Sequence, residues 1–441
     1  MQPRTRARFI GIVAVVGVAA TLAACSSSPS TDSANQKVTV RVGVWDGGGG
    51  LKQDEQLASE YMKSHPNVTV KMESTPTNYG TKILTELAAG DAPDIMQIGD
   101  GDISMFKSKG VLADLTPYIG NKSDGLTMSD YDPALMNIGK IGGHYYTIGS
   151  GTSMAVYVNK DAFAAAGLTL PTASWTWDDL EKDAVALTKK DASGNVSQWG
   201  IRFNGNDLRT YLPFVYAYGG DVISSNGKKI TGHADSAATI AGWSEYNKLM
   251  NVDKVSPGTQ AVGASNGNDF FLAADGKKVG PAAMELSGDW GGTDYVNAGM
   301  NFEVLPVPAG PAGQFTTMDY SGYAINSKSK NVQAAWDYLR FWATKGQDSL
   351  ASTGQLVPYK PALTKYKLDT SPATAEFVKS FSKVKPFPEL LSPSFSASGA
   401  ANDLVSVLSD IQTGNGSVDV AKELKAAAQK AQSDLDSYSG Q

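Results

Sequence analysis

In Val38-Thr39-Val40-Arg41-Val42-Gly43-Val44-Trp45, apolar and polar residues alternate as they do in a β-strand. This predicted strand is the starting point for assigning the fold. Asp46 and four glycines follow it and predict a turn through Gly50. Two helices, predicted at 52–65 and 81–89, then alternate with strands predicted at 68–72 and 93–98. This β-α-β-α-β order predicts an α/β fold with a mainly parallel sheet, whose ligands bind beyond the carboxyl ends of the strands.

The rest of the chain continues the α/β pattern and is long enough for a second domain. Further helices are predicted at 237–250, 268–274 and 332–345, strands at 301–306 and 320–326, and a helical tail at 400–438. With 441 residues, of which 41% are hydrophobic and 19% charged, the chain exceeds the usual size of a single hydrophobic core. We therefore expect two or more globular domains.

The charge and cysteine content exclude several classes of protein. The formal net charge is −6, and no basic run is present outside the N-terminus, which argues against nucleic acid and against broad contact with anionic lipid. The chain has a single cysteine, so no intramolecular disulfide can form. The fold must therefore be stabilised by packing and hydrogen bonds.

The N-terminus has the pattern of a bacterial export signal. Arg4, Arg6 and Arg8 precede an apolar run over 9–20, which is too short to span a bilayer as a helix. Leu22-Ala23-Ala24-Cys25 then resembles a lipobox, which implies a signal peptide over 1–24, acylation of Cys25 and a polar tether over 25–36. More than one acyl chain would hold the protein on the outer face of the cell membrane. The alternative is an ordinary signal peptide cut after Ala24.

Motifs for catalysis, metals or cofactors are weak throughout the sequence. The three histidines, His65, His144 and His233, are not at metal-ligand spacing. Gly263-Ala264-Ser265-Asn266-Gly267 matches the spelling of a nucleophile elbow, but no apolar strand precedes it. The four glycines from Gly47 lack the Lys-Ser/Thr of a phosphate-binding loop. We therefore expect a protein that is not an enzyme and has no cofactor and no metal.

Aromatic residues next to acids and amides form the remaining candidate site. Aromatic faces stack on the C–H faces of sugar rings, while carboxylates and amides accept hydrogen bonds from hydroxyl groups. The candidate groups are Trp45-Asp46, Asp100 with Asp102, Asp207 with Arg209 and Tyr211, Asp289-Trp290, and Asp319-Tyr320. Trp290 stands out because glycines flank the Asp289-Trp290 pair on both sides. This mixture favours a neutral carbohydrate as the ligand.

A series of short motifs runs in order along almost the whole chain. They are Ala88-Ala89-Gly90-Asp91-Ala92-Pro93-Asp94-Ile95, Gly110-Val111-Leu112-Ala113-Asp114-Leu115-Thr116-Pro117-Tyr118, Ala155-Val156-Tyr157-Val158-Asn159, Trp175-Thr176-Trp177-Asp178-Asp179-Leu180, Ser321-Gly322-Tyr323-Ala324-Ile325-Asn326 and Gly354-Gln355-Leu356-Val357-Pro358. In this order they resemble the extracellular solute-binding proteins of ABC sugar importers (family 1 type), the group that includes maltodextrin-binding protein.

The resemblance implies a two-lobed periplasmic-binding-protein fold of type II with the ligand cleft between the lobes. It places lobe 1 at 37–150 and 306–372 and lobe 2 at 151–305 and 373–441, with crossings near 149–153, 302–306 and 370–375. It also implies an acidic contact at Asp100 or Asp102, a crossing contact at Thr152, second-lobe contacts at Asp207, Arg209 and Tyr211, and a stacking ring at Trp290. The family's tail tryptophan is missing, and Phe395 is the expected substitute.

The resemblance also implies the partners of the protein. They are a mono- or oligosaccharide and the permease subunits of an ABC transporter, with no nucleic acid, contact with the membrane only through the lipid anchor, and a monomeric chain. Asp46 and its glycines depart from the charged pair of maltodextrin binders, so the resemblance does not imply maltose. A secreted carbohydrate-active hydrolase remains the alternative, and it would need two carboxylates about 5 to 9.5 Å apart across the cleft.

Overall fold

The computed structural model describes residues 37–121, 123, 125–203, 208–257, 282–392, 394–413 and 418–438. Val38–Gln441 forms one compact unit, which contains the strands and helices of the described residues. Two predictions, the helix at 268–274 and the loop Gly263-Ala264-Ser265-Asn266-Gly267, lie outside the described residues. No helix in the described part of the chain is long and apolar enough to cross a membrane.

The strands are Val38–Val44 (β1), Val68–Ser74 (β2), Ile95–Gly99 (β3), Lys140–Ile141 (β4), His144–Tyr145 (β5), Ile148–Ser153 (β6), Ala155–Asn159 (β7), Lys189–Lys190 (β8), Val196–Gln198 (β9), Arg202–Phe203 (β10), Met284–Ser287 (β11), Phe302–Pro306 (β12) and Met318–Ile325 (β13).

The α-helices are Gly48–Ser64 (α1), Tyr79–Ala89 (α2), Asp100–Ser108 (α3), Thr116–Ile119 (α4), Pro133–Ile138 (α5), Lys160–Ala166 (α6), Trp177–Leu187 (α7), Leu208–Ala217 (α8), Ala237–Asn247 (α9), Gly292–Asn297 (α10), Val332–Phe341 (α11), Gln347–Ala351 (α12), Lys360–Lys365 (α13), Ala375–Ser380 (α14), Pro388–Leu391 (α15), Ala400–Thr413 (α16) and Val420–Ser437 (α17).

The first sheet has five strands in the order β2-β1-β3-β13-β6. β1 pairs in parallel with β2 and β3, as the β-α-β-α-β pattern predicts, whereas β13 runs antiparallel to both β3 and β6. β1 packs its alternate residues Val40, Val42 and Val44 fully out of solvent. The carboxyl ends of β1 and β3 therefore lie beside one another, and this places Trp45 and Asp46 close to the start of α3.

The second sheet has four strands in the order β10-β11-β7-β12 and is mixed. β10 and β11 are parallel, while β7 runs antiparallel to both β11 and β12. Arg202 and Glu285 are both 1% exposed on the two parallel strands, and their side chains form an ion pair of 3.0 Å. The Tyr295 hydroxyl donates to the other Glu285 oxygen at 2.6 Å, so both oxygens of this buried carboxylate have partners.

The chain passes between the two sheets where one strand ends and another begins. Met154 alone separates β6 of the first sheet from β7 of the second, and the segment 307–317 joins β12 of the second sheet to β13 of the first. α14 packs against β6, β7 and β12, and the Ser153 hydroxyl donates to the Phe377 carbonyl within that helix. Strands from both sheets therefore meet at one place, which is where a cleft between two lobes has its base.

The two tryptophans of the motif at 175–180 pack in the core beside the second sheet. Trp177 stacks on Phe214 with ring centroids 3.8 Å apart, and the Trp175 indole N–H donates to the Pro306 carbonyl at 2.8 Å. Thr176 caps α7 in a capping box with Asp179. The two tryptophans thus fix the entry of α7 and do not face a ligand.

The prediction of a turn through Gly50 is wrong. Gly47 is the N-cap residue and α1 begins at Gly48, so the glycines form the first helical turn. Gly48 has a φ of +52°, a conformation that glycine adopts without strain. A Cβ on Gly50 would lie 3.1 Å from the Asp46 carboxylate, so glycine allows the helix to start close against that side chain.

Candidate functional site

A cavity of about 730 Å³ lies between residues of the two sheets. Its walls come from the end of β1, the first turns of α1, the strands β6 and β13, the loop after β11, and the segment 342–356. The lining includes four aromatic side chains, five aspartates, and several amides and hydroxyls. The aromatic and acidic members are Trp45, Tyr323, Trp342 and Trp290, and Asp46, Asp54, Asp289, Asp294 and Asp319.

Trp45 and Asp46 are held in place by Gln97 on β3. The Gln97 carbonyl oxygen accepts from the Trp45 backbone N–H at 2.9 Å, and its amide nitrogen donates to the Asp46 carboxylate at 2.7 Å. The same nitrogen donates to the Ser321 hydroxyl at 3.1 Å. The Trp45 ring also packs edge-on against Tyr79, with centroids 5.6 Å apart. Half-buried Trp45 is thus fixed by neighbours and still lines the cavity.

Trp290 lies on the opposite wall, in a short turn after β11. Its side chain is 39% exposed, which makes it one of the few large apolar side chains open to solvent in the described chain. A Cβ on Gly288 would lie 2.2 Å from Cζ3 of the Trp290 ring and 2.6 Å from Cγ2 of Thr152. The ring therefore rests on bare glycine backbone beside Thr152, which leaves part of its surface free for a ligand.

Thr152 joins the two walls at the base of the cavity. Its hydroxyl oxygen accepts from the Asp289 backbone N–H at 3.2 Å, although Thr152 belongs to β6 of the first sheet and Asp289 follows β11 of the second. This hydrogen bond fixes the turn that carries Trp290. The structure thus brings together six of the predicted site residues, which are Trp45, Asp46, Thr152, Asp289, Trp290 and Asp319.

Burial changes the titration of two carboxyl groups in the cavity. Burial, with the nearby charge of Asp46, raises the pKa of Asp54 to about 7, while a hydrogen bond from Tyr323 opposes the shift. Burial also raises the pKa of Asp289 to about 7, and the charge of Asp319 adds to the increase. Both groups therefore hold a proton much more readily than an exposed aspartate does.

Arg209 pairs its charge with carboxylates from the first sheet. Its guanidinium lies 2.9 Å from the Asp100 carboxylate at the start of α3 and 3.2 Å from Asp319 on β13, while α8, which carries Arg209, follows β10 of the second sheet. Asp100 is 1% exposed, and burial raises its pKa to about 6 although Arg209 opposes the shift. These ion pairs join the two sheets beside the cavity, and they occupy a guanidinium that was predicted to contact ligand.

Asp100 lines a second, smaller cavity of about 370 Å³, together with Phe387 and residues of α5 and α15. This cavity is mainly apolar, and Arg209 lies over the Phe387 ring, 4.8 Å from its centroid. The predicted acidic contact at Asp100 is therefore not in the larger cavity. Asp102 lies on the first turn of α3 and lines neither cavity.

Three predicted contacts are buried in cores and do not reach either cavity. Tyr211 is 1% exposed, and its hydroxyl is bonded to the Gln412 amide. Tyr320 is buried, with its hydroxyl 2.9 Å from that of Thr147, and Phe395 is completely buried among the residues of the second core. They were predicted to contact ligand, but their side chains point into the protein. Two further predictions, Asp207 and Cys25, lie outside the described residues.

Several lining residues were not predicted from the sequence, because most of them lie in helices and strands that carry no distinctive local motif. They are Gln53, Asp54, Gln97, Ser150, Tyr323, Trp342 and Gln347. Only Gln97 could have been found from its position, because a polar residue in an otherwise apolar strand indicates a polar site beside the strand. Gln347 gives no such signal, because it begins a short helix in an ordinary polar sequence.

Outside the two cavities, three acidic side chains of the described residues are close enough to one another to hold a cation. Asp178, Glu181 and Glu245 have carboxylate oxygens within 4.8 Å of one another. Lys248 already pairs with Glu181, and Asp178 is exposed on the first turn of α7. This group lies away from the larger cavity and shares no residue with it.

Comparison with known proteins places the chain in a family. The family described as bacterial extracellular solute-binding protein matches residues 48–349. The chain is 25% identical to the maltodextrin-binding protein MdxE of Bacillus subtilis, over 75% of each chain, and 21% identical to the diacetylchitobiose binding protein DasA of Streptomyces coelicolor, over 81% of this chain and 83% of DasA.

A solved structure of similar fold is an ABC substrate-binding protein from Listeria monocytogenes in complex with cycloalternan. The TM-score is 0.76, at 22% identity, over 90% of this chain and 99% of the other. At this identity the likeness concerns the fold, and it supports the predicted two-lobed, type II architecture with an α/β lobe around each sheet.

Proposed function

The chain belongs to the bacterial extracellular solute-binding proteins, and we propose that it captures a mono- or oligosaccharide and delivers it to the permease of an ABC transporter. The observation that carries the proposal is the cavity of about 730 Å³, in which Trp45 and Trp290 stand on opposite walls among carboxylates, amides and hydroxyls. Flat apolar faces combined with hydrogen-bond acceptors match the alternating C–H and hydroxyl surfaces of a sugar ring.

The names of similar proteins support a carbohydrate ligand. The two relatives are named for maltodextrin and diacetylchitobiose, and the similar solved structure contains cycloalternan. These three ligands differ in size and linkage, so they favour the class of ligand and not one sugar. The protein's own ligand is set by the side chains around its cavity.

The proposal includes a location and a domain arrangement. Acylation of Cys25 would tether the globular unit to the outer face of the cell membrane through the polar segment 25–36, as the Leu22-Ala23-Ala24-Cys25 sequence predicts. Lobe 1 would comprise 37–150 and 306–372, and lobe 2 would comprise 151–305 and 373–441. A monomer with its cleft open to the outside could collect solute and present it to the permease.

A thermal-shift screen against a panel of mono- and oligosaccharides, followed by calorimetric titration, tests the proposal. A sugar present at 100 times its dissociation constant should stabilise the folded protein by about 2.7 kcal/mol. A panel that leaves the melting temperature unchanged throughout would contradict a sugar-binding function.

A secreted carbohydrate-active hydrolase is the second candidate, because the cavity contains two carboxyl groups, Asp54 and Asp289, whose pKa is raised to about 7. A raised pKa is what the general acid of a glycosidase needs. An assay of reducing-sugar release from mixed oligosaccharides separates the two candidates. Binding without release of reducing ends supports capture and transport, and sustained release supports hydrolysis.

A further inference from the structure

The charges that line the larger cavity are of one sign. Five aspartates line it, and none of the described lining residues is lysine, arginine or histidine. Asp319 is paired with Arg209, whereas Asp46, Asp54, Asp289 and Asp294 form no ion pair within the described part of the chain. The N-terminal turn of α1 supplies only about half an elementary positive charge. The described lining of the cavity therefore carries acidic side chains and no basic one.

A completely buried amide provides an independent sign that the cavity is built for a ligand. Gln347 lines the cavity with 0% of its surface exposed, and both its amide nitrogen and its amide oxygen lack a hydrogen-bond partner. One oxygen of Asp54 is also buried without a partner. Since buried polar atoms are almost always hydrogen-bonded, these atoms are expected to gain partners when a ligand enters.

The surroundings of Asp54 and Asp289 indicate which charge on a ligand would be favoured. Burial raises the pKa of both Asp54 and Asp289, and neighbouring aspartates add to it in each case. The groups around Asp54 are Asp46, Glu55 and the Tyr323 hydroxyl, and those around Asp289 are Asp319, Thr152 and backbone N–H groups. A cation near these carboxyl groups would lower their pKa and stabilise their ionised form, which a neutral hydroxyl would do less.

We propose that the sugar captured in this cavity carries a protonated amine, that is, an amino sugar or an oligosaccharide of amino sugars with free amino groups. The inference rests on the proposed carbohydrate-binding function and narrows its ligand class. The ammonium group would lie beside Asp46 and Asp54, which are close enough to interact, and would donate to their carboxylates. The aromatic walls, Trp45 and Trp290 among them, would stack on the sugar ring and attract the positive charge to their faces.

Matched pairs of sugars that differ only in the amine test the inference by calorimetric titration near neutral pH. The pairs are glucosamine with glucose, galactosamine with galactose, and the disaccharide of β-1,4-linked glucosamine with cellobiose. N-acetylated forms of the amino sugars serve as uncharged controls. We expect at least one amino sugar to bind about tenfold or more tightly than both its hydroxyl and its N-acetyl counterparts, because charge attraction inside a cavity is stronger than in water. The preference should shrink at high salt.

Charge-neutralising variants separate local attraction from the overall charge of the protein. Asp54→Asn keeps the shape of the side chain and should reduce the preference for the amino sugar over its uncharged counterparts about tenfold. Glu303→Gln removes one charge from an exposed position on β12, outside the cavity, and should leave the preference unchanged. An equal loss in both variants would contradict a local contact.

The outcomes distinguish this inference from the function on which it rests. Neutral sugars that bind as tightly as their amino counterparts would overturn the inference and leave the sugar-binding function intact. Stabilisation by calcium alone, removed by a chelator, would identify the acidic cavity as a metal site and would also overturn it. Failure of every sugar, charged or neutral, would contradict the proposed function itself.

Discussion

Replacement of Trp290 by alanine should weaken sugar binding strongly while the protein stays folded. A tryptophan side chain offers about 250 Å² of surface, and a ligand stacked on the exposed 39% would cover about 100 Å² of it. At about 25 cal/mol per Å² this burial contributes about 2.5 kcal/mol. Stacking geometry adds about 0.5–1.5 kcal/mol. The total of about 3–4 kcal/mol corresponds to a loss of affinity between about 150-fold and 700-fold.

The same partial exposure limits the effect on folding. Truncation of a completely buried aromatic side chain to alanine costs about 3–5 kcal/mol, so a ring that is only about three-fifths buried should cost about 2–3 kcal/mol. The ligand for these measurements is the sugar that binds most tightly in the thermal-shift screen. Titration calorimetry and denaturant unfolding on the same preparation measure the two effects separately. Trp199→Ala, at a half-buried tryptophan outside the cavity, is the matched control and should leave affinity unchanged. Native affinity in Trp290→Ala would refute the stacking role.

Three other predictions each rest on a single feature. Gly288→Ala should reduce affinity about tenfold or more, because the new Cβ would displace the Trp290 ring and press on Cγ2 of Thr152, although the φ of −81° is one that alanine tolerates; native affinity on titration would contradict it. Burial raises the pKa of Asp54, Asp289 and Glu389 to about 7, so the folded state binds more protons than the unfolded state above about pH 4, and stability falls as the pH rises to about 7. Melting curves should show a higher melting temperature near pH 5 than near pH 8, and the opposite order would contradict these shifts. Cys25→Ser should move the protein from the membrane fraction to the medium; retention on membranes after a salt wash would contradict the lipid anchor.

Much of the first sheet could be predicted from the sequence because its strands and helices alternate with clear periodicity. Val38–Val44 is a buried strand whose alternation is unmistakable, and the parallel pairing of β1 with β2 and β3 follows from the helices between them. The antiparallel course of β13 could not be predicted, since nothing local tells which strand it joins. The sequence of Gly48 and its neighbours predicts a turn. In the structure these glycines begin a helix, because the rest of α1 extends back to Gly48, with Gly47 as the N-cap residue.

The candidate site was predictable where a tryptophan next to an aspartate follows a strand and has a glycine within two residues. Trp45 and Trp290 meet that description, and the structure places both in the cavity. Tyr211, Tyr320 and Phe395 were predicted without this pattern, and the packing of α8, β13 and the tail turns them into the cores. Gln347 was missed because its importance depends on burial without a partner, which only the three-dimensional structure shows.

A crystal structure of the complex with the tightest-binding sugar of the panel tests whether the larger cavity binds the sugar. We expect a sugar ring in the cavity of about 730 Å³, stacked on Trp290, within hydrogen-bond distance of the Gln347 amide and with its amine beside Asp46 and Asp54. A sugar bound instead in the smaller cavity beside Asp100, or on the outer surface with the larger cavity unchanged, would contradict it.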